Sequence, residues 1–412
     1  MKITRVSEGF VRVRSARFSL STAAKRSLRM ALIVFLVVRI LLSVWAALVI
    51  EILPATLEPD PVLRPYLGQP ALPDGATGRL LGPWQRFDTM RYLSLAQDGY
   101  DAQNSVFPPL YPLLIGVLGR LLAFLFVASN AVANMTAALL ISNLSLLAAL
   151  ALLHFITTQE TDEADATRTV LYLAFFPTGF FLFAAYSESL FLLLAVGAIW
   201  LAHRERPLWA GILALLAALT RLTGWTLCLP LAYIYMRRRS FNWRNLDWRV
   251  LSVILPLLGL AGFLAWRAAA GLPPIAQVYE QYWFQQTGLP GADLGLGLRS
   301  LATGNGPRAG EISLAFDIAS TAFLVATTIL VFRRLPVSYG LYSAFLLFFM
   351  LLPTSEVKPL YSFSRYALVF FPSFMLLGQA GRNPWLHRLI LYASLILALF
   401  LSGQFFLWGW VA

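Results

Sequence analysis

The sequence predicts an all-α polytopic membrane protein with about eleven transmembrane helices, and three observations support this fold class. The chain of 412 residues is 58% hydrophobic and only 13% charged. Its apolar residues form repeated runs of about 20, the length that a helix needs to cross a bilayer. Short basic segments separate these runs. A soluble protein of this composition would expose more apolar surface than water tolerates.

The distribution of charge indicates a membrane protein and not a nucleic-acid-binding protein. The net charge is +12, but the basic residues lie between apolar runs and do not form one face. Positive-inside bias explains this pattern and predicts a basic cytoplasmic N-terminus over residues 1–30, followed by a single transmembrane domain over 31–412. Cys228 has no partner for an internal disulfide, and the three histidines lack the spacing of a metal site. We therefore expect neither a metal nor a cofactor.

The apolar runs and basic loops predict the path of the chain in order. A first span, 31–53, leads to an outer segment rich in Pro, Gly and Asp. Segments 169–202 and 208–236 each go out and return, because inner loops flank them. The second of these has too few residues for two straight spans, so we expect it to bend near 220–224. The other predicted spans are 131–156, 250–269, 313–332, 337–352, 367–380 and 389–410.

Three outer loops follow from this topology, at about 54–130, 270–312 and 353–366. Within the first, 108–127 is either a helix that begins at its prolines and lies in the outer leaflet, or a full span. A full span would move Glu188 to the inner side. The second loop carries an aromatic cluster that is typical of a membrane interface, Tyr279, Tyr282, Trp283 and Phe284.

The chain is organised around residues 86–100, which predict a short amphipathic helix lying beside the membrane and ending at Gly99. Asp88, near its start, is either a general base or an acid that complements the helix dipole. Arg86 and Tyr92 lie close to it in sequence, and we expect both to contact the substrate.

Four other ionisable residues stand among apolar runs or in outer loops. Glu188 and Arg221 are isolated between long apolar runs, where an ionisable group is costly and indicates function. Arg365 and Lys358 lie in the third outer loop. The arginines either bind a phosphate, which matches the guanidinium geometry, or mark the lipid headgroup layer. We expect all four residues to bind substrate.

Four segments, in order, resemble the PIG-V-type mannosyltransferases, the family of GPI mannosyltransferase 2 and its prokaryotic relatives. They are 86–100 with 107–112, 176–180 with 186–189, 218–224, and 364–372. The resemblance implies a GT-C-type fold with a large first outer loop that carries interfacial helices and the essential acid. Asp88 takes the place of that acid. Phe87 stands where the family usually has Trp, and Trp84 is a candidate for its stacking role.

These observations predict a glycosyltransferase that moves a hexose, mannose by the resemblance, from a polyprenyl-phosphate donor to a glycolipid or glycan acceptor. Asp88 would deprotonate the acceptor, with inversion at the sugar and without a metal. We expect a multi-pass protein of the cell membrane with its active site on the outer face. The alternative is a transporter or flippase of a lipid-linked or anionic substrate, which isolated membrane charges also indicate. A scaffold that has lost activity is a third possibility, because of Phe87.

Overall fold

The computed structural model describes residues 21–53, 72, 75–126, 128–304 and 308–411, with side chains described from 311 onward in the last range. Most of the predicted basic N-terminus and the first part of the first outer loop lie outside these residues. The described chain is almost entirely helical, so the all-α prediction is confirmed. Its helices are α1 Thr22–Ile52, α2 Ala76–Leu81, α3 Asp88–Asp98, α4 Leu110–Phe126, α5 Asn130–Glu160, α6 Glu163–Ala174, α7 Glu188–His203, α8 Pro207–Ala218, α9 Cys228–Arg237, α10 Leu251–Ala269, α11 Ile275–Trp283, α12 Ala292–Thr303, α13 Arg308–Arg334, α14 Val337–Met350, α15 Phe363–Tyr366, α16 Phe371–Ala380 and α17 Pro384–Phe406.

Five helices in the described ranges are long and apolar enough to cross a membrane: α1, α5, α10 with the turn before it, α13 and α17. Their outward faces carry large apolar side chains in the open, for example Ile40 at 60% and Ile396 at 67% exposure. Lipid covers such surfaces in a membrane protein, whereas water does not tolerate them over this area. The prediction of a multi-pass membrane protein is therefore confirmed.

The remaining predicted spans are shorter helices that meet at non-helical turns. α6 ends at Ala174, three residues before Pro177. The residue before a proline disfavours helical backbone, so the helix does not continue. α7 then begins at Glu188. α8 ends at Ala218 and passes into the short 3-10 helix Leu222–Leu227 before α9, so the bend predicted near 220–224 is confirmed. With 12 residues, α8 is only about 18 Å long. The expected eleven spans thus include several helices shorter than a bilayer.

Helix α4 covers residues 110–126 of the segment 108–127. It begins after two prolines and packs against α5, where the Tyr111 hydroxyl donates to the Ala138 carbonyl at 3.2 Å. Gly119 lies so close to Asn134 that a Cβ there would come within 2.0 Å of the amide oxygen. The opposite side of α4 is apolar and open, with Phe124 82% exposed. The choice between an interfacial helix and a full span stays a prediction.

The two segments predicted as the second and third outer loops are joined to each other. Strand β1, Gln286–Thr287, pairs antiparallel with β2, Pro353–Thr354. The Asp293 carboxylate in α12 accepts hydrogen bonds from the backbone N–H groups of Ser355 at 2.8 Å and Leu360 at 2.7 Å. The second loop is shorter than predicted because α13 already begins at Arg308 and not after 312. Together these loops form one wall of a large cavity.

Candidate active site

The ends of the short helices and the joined outer loops enclose a cavity of about 740 Å³, within the usual range for ligand sites. Its lining comes from distant parts of the chain: the start of α3, residues 220–223 after α8, α11 with the loop behind it, the end of α14, and residues 360–366. The cavity therefore forms only when these segments have assembled.

Four charged side chains form one chain of alternating sign at this cavity. Asp88 Oδ2 lies 2.7 Å from Arg365 Nη1, and Arg365 Nε lies 3.3 Å from Glu188 Oε1. The same Glu188 oxygen accepts a hydrogen bond from Arg221 Nη1 at 2.6 Å. The side chain of Glu188 is 1% exposed and that of Arg365 7%. Buried charges persist when each has opposite neighbours and hydrogen bonds, which is the arrangement here. We call these four residues the charge cluster.

Asp88 reaches the cavity because α3 starts abruptly. Phe87 just before it has φ of 48°, a left-handed value that is uncommon for a residue with a side chain. Asp88 is then the first residue of the helix, where the N–H groups of the first turn favour a negative charge. The Thr89 hydroxyl fixes this turn to the carbonyls of Trp84 and Ala185. The strained turn thus holds Asp88 next to the start of α7.

Arg221 owes its position to a close turn after α8. Its backbone is extended, with φ of −144° and ψ of 140°. Gly224 packs on the end of α8 so tightly that a Cβ would lie 2.3 Å from the Ala217 carbonyl carbon. This contact folds the 3-10 helix back and aims Arg221 at Glu188. Burial alone would lower the pKa of Arg221, but Glu188 and other neighbours raise it above its ordinary value.

Arg365 is fixed from behind by a buried acid. Asp317 of α13 accepts a hydrogen bond from the Ser364 backbone N–H at 2.7 Å, and the Thr178 hydroxyl donates to the Ser364 carbonyl at 2.8 Å. Asp317 is 5% exposed. The backbone N–H and the carbonyl of Ser364, the residue before Arg365, are therefore both hydrogen-bonded. Asp317 was not predicted from the sequence, although it is a lone acid within an apolar run, the same signal that identified Glu188.

Tyr92 joins the cluster through a serine. Its hydroxyl lies 2.8 Å from Ser187 Oγ, to which Arg221 also donates at 3.3 Å. Burial, and then the charge of Glu188, raise the pKa of Tyr92 above its ordinary value, so the phenol is neutral. Tyr92 lines the cavity, as predicted for a residue near the substrate.

Several cavity residues were missed or assigned elsewhere from the sequence. Tyr279 and Trp283 line the cavity, whereas the prediction put them in an interfacial cluster; Tyr282 and Phe284 are exposed, as that prediction requires. Tyr361 and Tyr366 also line it, along with acids and amides from the second loop, Glu280, Gln285, Gln286 and Asp293. Tyr279 and Trp283 are four residues apart in α11 and so lie on one face of it, a spacing that could have grouped them from the sequence. Tyr361 lies outside the helices, so no helical spacing indicated its inward direction.

Three predicted substrate-binding residues do not line the cavity: Arg86, Lys358 and Glu188, which lies behind the two arginines of the charge cluster. The Arg86 guanidinium donates to the Phe406 carbonyl at 2.7 Å and lies 4.6 Å from the Trp408 ring. Lys358 Nζ lies 3.7 Å from the ring centroid of Trp410. The side chains of Arg86 and Lys358 contact the C-terminal segment, and a substrate role for all three residues stays a prediction.

Phe87 and Trp84, the two residues considered for a stacking role, also do not line the cavity. Phe87 is 6% exposed and packs edge-on against Trp408 and Trp410. Trp84 is 1% exposed, with its ring 4.2 Å from the Arg39 guanidinium carbon. The suggestion that Trp84 takes over the stacking role is therefore wrong, and the rings that face the cavity belong to other residues.

The chain is similar in sequence to a known family of proteins. The sequence model of the family "Mannosyltransferase (PIG-V)" matches residues 25–253. That range holds Asp88, Glu188 and Arg221 and ends before Arg365. No curated protein sequence matches the chain.

Two solved structures are among those that match the chain. ArnT from Cupriavidus metallidurans, bound to undecaprenyl phosphate, has a TM-score of 0.46 at 12% identity, over 95% of this chain and 77% of ArnT. The archaeal oligosaccharyltransferase AglB from Archaeoglobus fulgidus, in complex with an inhibitory peptide and a dolichol-phosphate, has a TM-score of 0.39 at 11% identity. That alignment covers 90% of this chain and 56% of AglB, so the chain spans about half the length of AglB.

Proposed function

The chain belongs to the PIG-V mannosyltransferase family, whose sequence model covers more than half of it, and we propose that it transfers mannose from a polyprenyl-phosphate donor to a hydroxyl of a glycolipid or glycan. The family makes the chain a glycosyltransferase. The donor, the acceptor and the outer-face location of the reaction are our proposal.

The observation that carries the proposal is the contact between Asp88 and Arg365, 277 residues apart in sequence. It puts a carboxylate that can accept a proton beside a guanidinium that can hold a phosphate. Glycosyl transfer from a sugar phosphate needs both groups, a proton acceptor for the attacking hydroxyl and a positive charge for the departing phosphate. The cavity in front of them is large enough for a sugar together with part of an acceptor.

Asp88 acts as the general base in this mechanism. Its Oδ2 is bonded to Arg365, which leaves Oδ1 to take the proton of the acceptor hydroxyl. The acceptor oxygen then forms a bond to the anomeric carbon on the side opposite the phosphate. The bond from that carbon to the phosphate oxygen breaks, and its electron pair leaves with the phosphate, so the configuration inverts.

Arg365 and Arg221 stabilise the departing phosphate. Each guanidinium has five N–H donors in a planar fork, and the contacts described above use Nη1 and Nε of Arg365 and Nη1 of Arg221. The remaining donors are available to phosphate oxygens. Two arginines offset the charge that develops on the leaving group, a role that a divalent cation serves in other transferases. Among the described residues, no group of three or more His, Cys, Asp or Glu side chains is placed to hold a metal ion.

The sugar itself is bound by the aromatic and amide side chains around the cavity. Tyr92, Tyr279 and Tyr366 present rings and hydroxyls, and Glu280 with Gln286 presents acceptors at the other end. Sugar rings pack on aromatic faces while their hydroxyls bond to such groups. Glu188 holds both arginines and has one oxygen, Oε2, with no hydrogen-bond partner among the described residues. Because Glu188 does not line the cavity, we assign it to holding Arg221 and Arg365 in position.

No contact among the described residues specifically favours a transporter or flippase. It was suggested by the isolation of Glu188 and Arg221 in the sequence, and the structure pairs these two residues with each other. Their burial is thus explained by the charge cluster without a translocation path.

The experiment is a transfer assay with the reconstituted full chain. Radiolabelled mannose is supplied either on a polyprenyl phosphate or on a nucleotide, with a membrane extract from cells lacking the gene as acceptor. The proposal predicts labelled acceptor from the lipid-linked donor only. Transfer from the nucleotide sugar would overturn the donor assignment. Movement of intact labelled donor across the vesicle membrane, without transfer, would support the flippase instead.

A further inference from the structure

A second cavity lies at the other end of α8 from the charge cluster. It has a volume of about 350 Å³ and is enclosed by the end of α7, the start of α8, the end of α9 and the start of α10. α8 connects the two cavities: Pro207 at its start lines the second one, and Arg221 after its end lines the first. The helix between them has 12 residues, or about 18 Å. We call the second cavity the basic pocket.

Three arginines converge on the basic pocket, Arg238, Arg239 and Arg249, against one lining acid, Glu205. Arg239 is held in place, with Nη2 2.7 Å from Asp247 Oδ2 and its guanidinium 3.7 Å from the Tyr235 ring centroid. In the part of the chain that the structure describes, no side-chain hydrogen bond or ion pair of Arg249 is found. The pocket therefore offers a preformed guanidinium and a second one with its donors available to an anion.

The rest of the pocket lining is mainly apolar. It is formed by Leu231, Ile234 and Val253, together with Ala202, Pro207 and Ala210. An ion such as free phosphate needs only the arginines. A pocket lined by both arginines and apolar side chains fits a ligand that is anionic at one end and apolar at the other.

Exposed aromatic side chains lie in the same loop as the pocket arginines. Trp243 is 75% exposed and Trp248 64%, and both lie in the loop that carries the arginines. Tryptophan is enriched at the level of the lipid headgroups, where its ring lies in the apolar part and its N–H in the polar part. The loop 237–249 holds five arginines and one acid, Asp247. Clusters of this kind attract anionic lipids.

From these features we propose that the basic pocket binds the phosphate headgroup of an anionic glycerophospholipid. Arg239 and Arg249 hold the phosphate oxygens, and the acyl chains leave along Leu231 and Val253 between α9 and α10. The lipid belongs to the leaflet opposite the charge cluster and is a bound partner, not a substrate. The proposal does not depend on the transferase mechanism, because it uses none of its residues.

The test measures lipid binding to the detergent-solubilised full chain by native mass spectrometry. The probes are phosphatidylglycerol, phosphatidylcholine and inorganic phosphate. Arg249→Gln is the test variant, and Arg244→Gln is its matched control: the same charge is removed from an exposed arginine of the same loop that does not line the pocket. Thermal unfolding of both variants verifies that each is folded.

The proposal predicts that the chain binds phosphatidylglycerol more tightly than phosphatidylcholine, and that Arg249→Gln weakens this binding by about tenfold. Arg244→Gln should change it by less than about twofold, since only the diffuse surface charge differs. Equal weakening in both variants would overturn the proposal in favour of a diffuse basic surface. Displacement of the lipid by inorganic phosphate, with the same dependence on Arg249, would show a site for soluble anions instead.

Discussion

Arg365 contacts both carboxylates of the charge cluster and is the residue on which phosphate binding most depends. Arg365→Lys keeps the charge but loses the fork that contacts Asp88 and Glu188 at once. We expect kcat/KM for the lipid-phosphate donor to fall by an amount equivalent to about 2–4 kcal/mol of transition-state stabilisation, with little change in the acceptor KM. Steady-state kinetics with the donor and the acceptor varied separately measure this.

Arg388→Lys serves as the control for that substitution, because Arg388 contacts Trp385 in α17 and does not line the cavity. If Arg365→Lys leaves donor kinetics unchanged and lowers only the protein yield, Arg365 is a structural residue. The phosphate contact would then have to be sought at Arg221.

Asp317 is a positioning residue for Arg365, since its carboxylate bonds the Ser364 N–H. Asp317→Asn keeps an oxygen acceptor but loses the charge, so this hydrogen bond weakens by about 1–2 kcal/mol. We expect kcat for transfer to fall and donor KM to change little. For Asp317→Ala, we expect a larger fall in both kcat and the free energy of unfolding. An Asn variant with normal kcat and only a lower Tm would limit Asp317 to stability.

At the residue scale, the sequence identified the four members of the charge cluster but not their contacts. Glu188 and Arg221 were singled out because charge among apolar runs is costly. Asp88 was singled out because it lies near the start of a short amphipathic helix, and Arg365 because a guanidinium in the third predicted outer loop can bind a phosphate. Which acid meets which base depends on the tertiary fold, across separations of 33 and 277 residues. Arg86 was placed in the site only by its sequence neighbours, and its side chain points to the C-terminal segment instead.

At the element scale, the turn after α8 depends on Gly224. Gly224→Ala would bring a Cβ within 2.3 Å of backbone atoms of Ala217 and Ala218, which cannot move aside as a flexible side chain would. We expect a loss of about 1–3 kcal/mol in stability, together with lower transfer activity because Arg221 is displaced. Thermal unfolding and the transfer assay measure the two effects.

Gly262→Ala in α10 is the matched control, because a Cβ there meets no atom within 4 Å. Alanine favours a helix over glycine, so the Tm of this variant should stay the same or rise slightly. Equal Tm values for Gly224→Ala and Gly262→Ala would contradict the close packing of the turn on α8.

The sequence predicted the long helices, but it did not predict the contacts that join the second and third predicted outer loops. An apolar run of about 20 residues has few alternatives to a helix in a membrane, so the runs at α1, α5, α10 and α13 gave the right elements. The pairing of β1 with β2, and the hydrogen bonds to Asp293, join two loops that are more than 60 residues apart. No local pattern in the sequence encodes such a contact.

At the scale of the whole molecule, the cavity and the basic pocket are predicted to face opposite sides of the membrane. Cysteine labelling from outside, in a Cys228→Ser background, should modify Asp101→Cys and spare Asn242→Cys, both at exposed positions. Glu188 and its neighbour Ser187 are buried and so cannot report on topology by labelling. Modification of position 242 and not 101 would reverse the proposed orientation.

The whole fold brings one acid from the first outer loop to an arginine near the other end of the chain, and the central claim is that this acid, Asp88, is the general base. The most direct test compares Asp88→Asn with Asp98→Asn in the transfer assay with the lipid-linked donor. Asp98 ends the same helix and is exposed, so its variant removes an equal charge.

Asp88→Asn should lower kcat for transfer by about 10²-fold or more, because an amide cannot take the proton, while donor binding and insertion in the membrane persist. Asp98→Asn should leave kcat near the wild-type value. Near-normal turnover by Asp88→Asn would contradict the mechanism and leave Asp88 as a helix N-terminal acid paired with Arg365.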